Sequence, residues 1–145
     1  MDPIKKIVVG VDGSPASELA AMRAVELAKA LGATVKLVHA LPPLIYPPEA
    51  MMVPTVDLDT ARFEAAKETM QQLLTRLALP AKGVAIETEV ANGTPAELLA
   101  EIADRQGAQL ILVGSRGRGP LSRLLLGSVA DRVAHIARAM VMVVR

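Results

Sequence analysis

The chain has 145 residues, of which 52% are hydrophobic and 21% charged, and it carries a formal net charge of +1. This length and composition predict one globular domain, residues 1–145, with a buried hydrophobic core, because disordered chains contain far fewer apolar residues. The near-neutral charge and the scarcity of aromatic residues, which are limited to Tyr46 and Phe63, argue against a basic or base-stacking surface for nucleic acids.

The N-terminal segment MDPIKKIVVGVDG begins with two lysines followed by an apolar run that Asp12 ends after five residues. That run is too short for the apolar region of a signal peptide, and no run elsewhere is long enough to span a bilayer. The chain also lacks cysteine, which excludes disulfides, thiolate catalysis and cysteine-bound metals. We expect a soluble, cytoplasmic protein that does not bind membranes.

Short runs rich in β-branched residues alternate with longer helical patterns, which is typical of βαβ units in a parallel sheet. Strands are predicted at residues 6–11, 34–40, 85–91, 109–114 and 140–144. The runs that begin at residues 6 and 109 are almost continuously apolar, as expected for strands covered by helices on both faces. The third run instead alternates apolar residues with Glu87 and Glu89, which predicts an edge strand.

Helices are predicted over residues 15–31 and 58–78, from residue 95, and from about residue 128. Ser14 before Pro15 predicts an N-cap, and Thr94 has capping-box spacing to Glu97. Apolar periodicity predicts the buried helical faces. These faces comprise Ala20, Ala24, Leu27, Ala28 and Leu31; Phe63, Ala66, Met70, Leu73 and Leu77; and Val129, Val133, Ile136 and Ala137.

Right-handed crossovers between parallel strands limit the topologies that these elements can adopt. The simplest solution is a single-domain, doubly wound α/β fold with five parallel strands in the order 3-2-1-4-5 and helices on both faces. In such a Rossmann-like sheet, ligands bind beyond the carboxyl ends of the strands where the winding reverses, here between the first and fourth strands. The loops at that point are GVDGSPAS and GSRGRGPLS.

The segment 41–55 holds half of the ten prolines and fits none of these elements. Because proline removes backbone donors and fixes φ, the segment predicts a loop between the second strand and the second helix. A loop of this length is typical of a mobile lid, a partner surface or a disordered connection.

The stretch GSRGRGPLSRLLLGSVAD at residues 114–131 is rich in glycine and arginine. It is not a P-loop, because Pro120 and Leu121 stand where that motif requires lysine and a hydroxyl residue. It is not a dinucleotide fingerprint either, since that motif opens the first helix directly after the first strand. The remaining pattern is Gly114, two residues, Gly117, nine residues, Gly127 and then Ser128.

This spacing resembles the G-x2-G-x9-G-[ST] nucleotide-binding motif of the universal stress protein family. The resemblance extends through IVVGVDGS, NGTPAELLAEIA, LILVGSRGRG, LLLGSVADRV and the closing VMVVR. It implies an adenine nucleotide alpha hydrolase-like fold and, in the ATP-binding branch, a site for ATP, ADP or AMP. The residues implied for nucleotide binding are Val11, Asp12, Ala40, Val113, Gly114, Arg116, Gly117, Gly127, Ser128 and Val129.

The chemistry of these residues agrees with the implied roles. Glycines permit close backbone approach, and a helix that starts at Ser128 presents free N–H groups to phosphate. Asp12 could accept hydrogen bonds from ribose hydroxyls or coordinate Mg²⁺ together with ATP, or it could only organise the turn before Pro15. Arg116 is the first candidate for a phosphate contact because it lies inside the first glycine interval.

Three functions remain open at this point. The first is a nucleotide-dependent regulatory protein of the stress response that acts through protein partners, and the second is a slow ATPase, for which no general base is evident. The third is a nucleotide-independent dimeric scaffold, although that branch of the family lacks the glycine motif. The apolar run 140–144 lies at a predicted sheet edge, and the resemblance implies a homodimer formed through this last strand.

Two residues depart from the family pattern at the ends of strands. Gln109 replaces the acidic residue that often precedes the fourth strand, and Met140 replaces a proline that often precedes the last strand. Neither change removes a glycine of the motif, so the expectation of nucleotide binding is unaffected.

Overall fold

The structure is a computed structural model that describes residues 2–49, 58–116 and 126–145. Strands and helices alternate in these ranges, and the five strands and the first two helices lie within one residue of their predicted bounds. In chain order the elements are β1 (Lys6–Gly10), α1 (Pro15–Leu31), β2 (Thr34–Leu41), α2 (Leu58–Leu77), β3 (Ile86–Asn92), α3 (Pro95–Gln106), β4 (Leu110–Gly114), α4 (Ser128–Ile136) and β5 (Met140–Val144).

The five strands form one parallel sheet in the order β3-β2-β1-β4-β5, which confirms the predicted topology. Val9 in the central strand pairs with Leu37 on one side and with Leu112 on the other. Since all strands are parallel, their carboxyl ends lie at one edge of the sheet. The winding reverses between β1 and β4 at that edge, which is where open α/β sheets bind ligands.

The hydrophobic core has two parts, one on each face of the sheet. Ile7 and Val9 pack with residues of α1 and α2, whereas Val8 packs with residues of α3 and α4. This division follows from the two-residue period of a strand, which sends neighbouring side chains to opposite faces. Burial of each such aliphatic side chain contributes about 1.5–3 kcal/mol.

The helix starts and faces agree with the predictions in most places. The Ser14 side chain accepts a hydrogen bond from the Ser17 N–H at 3.2 Å and caps α1, as predicted. Leu31, predicted to be buried, is instead 42% exposed at the last position of α1. No helix within the described ranges is both long and apolar enough to cross a membrane.

The predicted capping box at the start of α3 is wrong. Thr94 occupies the N-cap position, but its side chain makes no capping hydrogen bond. The Glu97 carboxylate instead accepts a hydrogen bond from Arg132 Nε of α4 at 2.9 Å. This charged partner comes from a helix distant in sequence, so the capping-box spacing could not reveal it.

Gln109 joins the amino ends of β1 and β4. Its Oε1 accepts hydrogen bonds from the backbone N–H groups of Lys5 and Lys6 at 2.9 and 3.0 Å, and its Nε2 donates to the Gly107 carbonyl at 2.8 Å. A carboxylate could accept the first two bonds but could not donate the third. The amide therefore satisfies the strand start and the preceding turn together.

A cluster of charged side chains holds the edge strand β3 against β2 and α3. The Lys36 ammonium is almost fully buried and lies 2.7 Å from Glu89 and 3.9 Å from Glu87. Arg105 of α3 donates a second hydrogen bond to Glu89 at 3.2 Å. The hydrogen bond from Lys36 lowers the pKa of the Glu89 carboxyl below its ordinary value, and this effect exceeds the opposing effect of burial.

We expect Glu89→Gln to lower the free energy of unfolding at pH 7 by about 1–2 kcal/mol, because the buried Lys36 loses its charged acceptor. Since the pKa of Glu89 is lower in the folded than in the unfolded protein, its contribution is present above about pH 4.3 and is lost as the pH falls through the folded pKa. Urea denaturation from pH 7 to pH 3 should therefore show a flatter acid decline in the variant.

The matched control is Glu101→Gln. Glu101 lies 3.6 Å from the same Arg105, but its side chain is mostly exposed. This substitution should change the free energy of unfolding by less than about 0.5 kcal/mol. An equal acid decline in the wild type and in Glu89→Gln would contradict the role given to the buried pair.

Candidate functional site

A cleft opens at the carboxyl ends of β1 and β4, where the winding of the sheet reverses. It encloses about 500 Å³, including the space that opens to solvent. The residues that line the cleft are Gly10, Val11, Asp12, Ser17, Val38, Ala40, Pro95, Leu99, Val113, Gly114, Arg116 and Val129. The location is the one expected from the strand order.

Most of the residues implied by the glycine motif lie together in this cleft. Those on its surface are Val11, Asp12, Ala40, Val113, Gly114, Arg116 and Val129. Gly127 and Ser128 lie immediately before Val129, at the start of α4, and do not line the cleft themselves. Gly117 falls outside the described residues, together with Arg118, Pro120 and Arg123.

Sequence reasoning missed five lining residues: Gly10, Ser17, Val38, Pro95 and Leu99. Val38 lies two residues before Ala40 on the same face of β2, so strand periodicity could have identified it. Pro95 and Leu99 are one helical turn apart at the start of α3. Their position in the cleft depends on how α3 packs against the sheet, and no local pattern carries that information.

The turn after β1 is held by a closed set of short-range hydrogen bonds. Asp12 Oδ1 accepts from the Ser14 N–H at 2.8 Å, and Gly13 between them has φ of 80°, a conformation that favours glycine. The Asp12 N–H donates to Ser17 Oγ at 3.2 Å, and Ser17 Oγ donates to the Ser14 carbonyl at 3.0 Å. Asp12 therefore organises the turn, and its carboxylate is also part of the cleft surface.

The backbone of Ala40 is oriented toward the cleft. The Val38 carbonyl faces β1, since it accepts from the Val11 N–H at 2.9 Å, while the Leu41 carbonyl faces β3 and accepts from the Gly93 N–H at 2.9 Å. Backbone groups of successive residues in a strand alternate in direction. The N–H and carbonyl of Ala40 consequently point to the β1 side, past the last bond that β1 makes with β2.

The charge of the cleft is local and of both signs. Asp12 and Arg116 are the charged members of its described lining, and the side chains around them are apolar or small. Nearby, a hydrogen bond from Arg132 lowers the pKa of the Glu97 carboxyl. Across the described ranges, no three histidine, aspartate or glutamate side chains converge on one point that could hold a metal ion.

Two glycines allow backbone segments to meet at the edge of the cleft. A Cβ at Gly114 would lie 2.7 Å from the backbone carbonyl carbon of Ala16, in the first turn of α1. A Cβ at Gly127 would lie 2.8 Å from the Ser115 carbonyl oxygen, which accepts the Gly127 N–H at 2.7 Å. The ends of β4, α1 and α4 are therefore in direct backbone contact.

The start of α4 points backbone donors toward this region. The Asp131 N–H donates to the Gly127 carbonyl at 2.9 Å, which is the first bond of the helix. The N–H groups of Ser128, Val129 and Ala130 come before that bond. They belong to the first turn of the helix, whose N–H groups normally lack intrahelical acceptors. Such an end carries partial positive charge and favours anions.

The fold and the position of the cleft define the class of protein: a doubly wound α/β protein with a cleft at the switch point of its sheet. The universal stress protein family model matches residues 3–145. The universal stress protein MJ0531 of Methanocaldococcus jannaschii is 36% identical, and the match covers 97% of this chain and 82% of that protein. For YxiE of Bacillus subtilis the identity is 35%, with 97% and 98% covered. The chain belongs to the universal stress protein family.

Solved structures of the family have the same fold. The universal stress protein UspA from Lactobacillus plantarum matches with a TM-score of 0.86 and 25% identity over the full length of both chains. A universal stress protein in complex with cAMP has a TM-score of 0.69 and 27% identity, covering 99% of this chain and 98% of that one. The protein from Archaeoglobus fulgidus in complex with dAMP has a TM-score of 0.70 and 26% identity, covering 99% and 100%.

We expect Gly114→Ala to lower the free energy of unfolding by about 2 kcal/mol or more, because the new methyl group meets the Ala16 backbone, which cannot move without shifting α1. Gly10→Ala is the matched control, since its methyl group would make an ordinary contact with Val113 at 3.5 Å and would overlap with the tip of the Leu99 side chain, at 2.7 Å. That side chain can change rotamer, so the cost should be smaller. Urea denaturation of both variants measures the difference, and a larger cost for Gly10→Ala would contradict it.

Proposed function

We propose that the protein binds an adenine nucleotide in the cleft and acts as a nucleotide-dependent regulatory protein of the stress response. The observation that carries the proposal is the set of groups that line one cleft: aliphatic side chains that form an apolar slot, the Asp12 carboxylate, the Arg116 guanidinium, and Val129 from the first turn of α4. This set suits a base, a ribose and a phosphate. Two solved relatives in complex with cAMP and dAMP support the same ligand class.

The apolar slot supports a base as ligand. Val38, Ala40, Leu99 and Val113 line it with aliphatic side chains, which suit the flat face of a purine. The Ala40 N–H and carbonyl, which point over the cleft, offer one donor and one acceptor side by side. Adenine presents the complementary pair, an N1 acceptor beside an N6 donor, whereas guanine presents the reverse pattern at the same edge.

The polar groups in the cleft lining support a ribose phosphate as the rest of the ligand. The Asp12 carboxylate can accept hydrogen bonds from ribose hydroxyls while it keeps its bond to the Ser14 N–H, since a carboxylate has about four acceptor sites. We assign the phosphates to Arg116, to the backbone at Gly114 and Gly117, and to the start of α4. The residues of that helix start are Gly127, Ser128 and Val129.

ATP is the ligand that we propose for this site, with ADP or AMP as shorter forms of the same ligand. Mg²⁺ would enter with the triphosphate, and Asp12 is the residue that we propose near it. A carboxylate oxygen suits this cation, which usually binds one or two carboxylates together with substrate phosphates. The arrangement does not depend on a preformed metal cage in the protein.

Isothermal titration tests the proposal with ATP, AMP, adenosine and GMP on protein freed of bound nucleotide by dialysis. We expect micromolar binding of ATP and AMP, and binding of GMP about tenfold weaker or more, because reversed donors and acceptors leave buried groups unpaired. Arg116→Gln should weaken the binding of ATP and AMP but not that of adenosine, because a charge-assisted hydrogen bond to phosphate is lost. Gly127→Val should abolish phosphate binding by separating α4 from Ser115.

Arg138→Gln is the matched control for Arg116, because Arg138 is strongly exposed and does not line this cleft. It should bind all four ligands as the wild type does. Absence of ATP and AMP binding in the wild type, or equal affinity for AMP and GMP, would contradict the proposal. Chromatography of the ATP samples for ADP would detect slow hydrolysis, the alternative activity.

We further propose that the protein forms a homodimer through β5. The two edges of the sheet differ in chemistry: β3 carries Glu87 and Glu89, whereas β5, Met140–Val144, carries no charge. Charged side chains discourage the addition of another strand at an edge, and an uncharged apolar edge favours it. The exposed side chains of Met140 and Met142 support β5 as the contact.

We expect the wild type to sediment as a dimer at micromolar concentration and Met142→Lys to sediment as a monomer, because the new charge would lie on the sheet face at the proposed contact, where charges discourage strand pairing. Thr88→Lys places the same charge on the exposed opposite edge, β3, and should leave the dimer intact. Sedimentation velocity measures both. A monomeric wild type, or a monomer produced by Thr88→Lys alone, would contradict the assignment to β5.

A further inference from the structure

Ser17 is a buried hydroxyl residue on the surface of the cleft. It lies in the first turn of α1 and is only 5% exposed. Its Oγ takes part in two hydrogen bonds: it accepts from the Asp12 N–H at 3.2 Å and donates to the Ser14 carbonyl at 3.0 Å. The only hydrogen of the hydroxyl is therefore used within the turn, so Ser17 cannot donate to a ligand without breaking this contact.

We propose that Ser17 is a positioning residue that orients Asp12 toward the ribose, an inference that rests on the proposed nucleotide site. Two hydrogen bonds hold Asp12 in the turn: Ser17 Oγ accepts from its N–H, and the Ser14 N–H donates to its Oδ1. Gly13 with φ of 80° lets the chain close this turn. The carboxylate thus has its main chain and one oxygen held before a ligand arrives.

The support behind Ser17 is rigid. Its own N–H donates to Ser14 Oγ at 3.2 Å, which is the capping bond at the start of α1. The neighbouring Ala16 packs so closely on Gly114 that a Cβ there would lie 2.7 Å from its backbone. The position of the hydroxyl is consequently set by the contact of α1 with β4, and Ser17 transmits that position to Asp12.

Removal of the hydroxyl would leave the Asp12 N–H without its acceptor. A backbone donor in this situation turns toward water or another acceptor, which rotates the residue and moves its carboxylate. The base slot and Arg116 do not depend on this bond. Loss of the Ser17 hydroxyl should therefore weaken the ribose contact selectively, whereas general damage to the fold would weaken every ligand.

The experiment compares AMP with 2′,3′-dideoxy-AMP, which lacks both ribose hydroxyls, by isothermal titration. The wild type should bind AMP at least about tenfold more tightly, since hydrogen bonds to a charged acceptor are lost in the analogue. Ser17→Ala should weaken the binding of AMP by about tenfold and that of the analogue by less than about threefold. The ratio of the two affinities should therefore approach one. Ser17→Thr retains the hydroxyl and should restore most of the ratio.

Two further variants separate positioning from folding. Ser14→Ala removes the cap of α1 but retains the backbone N–H of residue 14 and the Ser17 hydroxyl, so it should lower the melting temperature and preserve the ratio. Asp12→Asn should itself lower the ratio, and adding Ser17→Ala to it should produce no further change if Ser17 acts through Asp12. If Ser17→Ala does not fold, Ser17→Cys retains a side chain with the same number of heavy atoms and supplies a weaker acceptor.

Each result decides the inference. The inference is supported if the ratio of AMP to analogue affinity falls toward one in Ser17→Ala, is preserved in Ser14→Ala, and does not fall further when Ser17→Ala is added to Asp12→Asn. Equal weakening of both ligands by Ser17→Ala, or an undiminished effect in the Asp12→Asn background, overturns it. A wild type that binds both ligands equally overturns the inference but leaves nucleotide binding intact, and a wild type that binds neither refutes the proposed function as well.

Discussion

The close contact between Gly114 and Ala16 is the constraint on which the rest of this region depends. It brings the carboxyl end of β4 against the first turn of α1, with a separation that would not accommodate a Cβ at residue 114. Because the start of α1 is fixed there, the buried residues Ser14 and Ser17 can hold the turn after β1. Both of them form hydrogen bonds with Asp12. One backbone contact thereby sets the relative position of the two loops between which the cleft opens.

The sequence predicted the sheet well because its strands differ in a way that periodicity detects. β1 and β4 are buried on both faces and read as continuous apolar runs, whereas β3 alternates with glutamates that pair with Lys36 and Arg105. Crossover handedness then limited the strand order to one simple solution, which the structure has. Local pattern and global topology agree, as expected of a sequence with a single folded state.

The cleft was predictable only where its residues follow one another in sequence. Val11 and Asp12 end one strand, and Gly114 and Arg116 end another, so topology brought them together. Leu99 and Pro95 line the cleft because α3 packs over β1. Glu97 accepts a hydrogen bond from Arg132 instead of forming the expected cap, because α4 packs beside α3. These contacts depend on the geometry of helix packing, for which the spacing of residues within one helix gives no signal.

The edge strand and the start of α4 are joined through a single residue. Ser115 donates its N–H to the Val144 carbonyl of β5 at 2.8 Å, and its own carbonyl accepts the Gly127 N–H at 2.7 Å. The strand through which we propose assembly and the helix end to which we assign phosphate are thus two hydrogen bonds apart. Ser115 therefore links the end of β5 directly to the start of α4 through its own backbone. The glycine at residue 127 preserves that connection, since any larger residue would displace the Ser115 carbonyl.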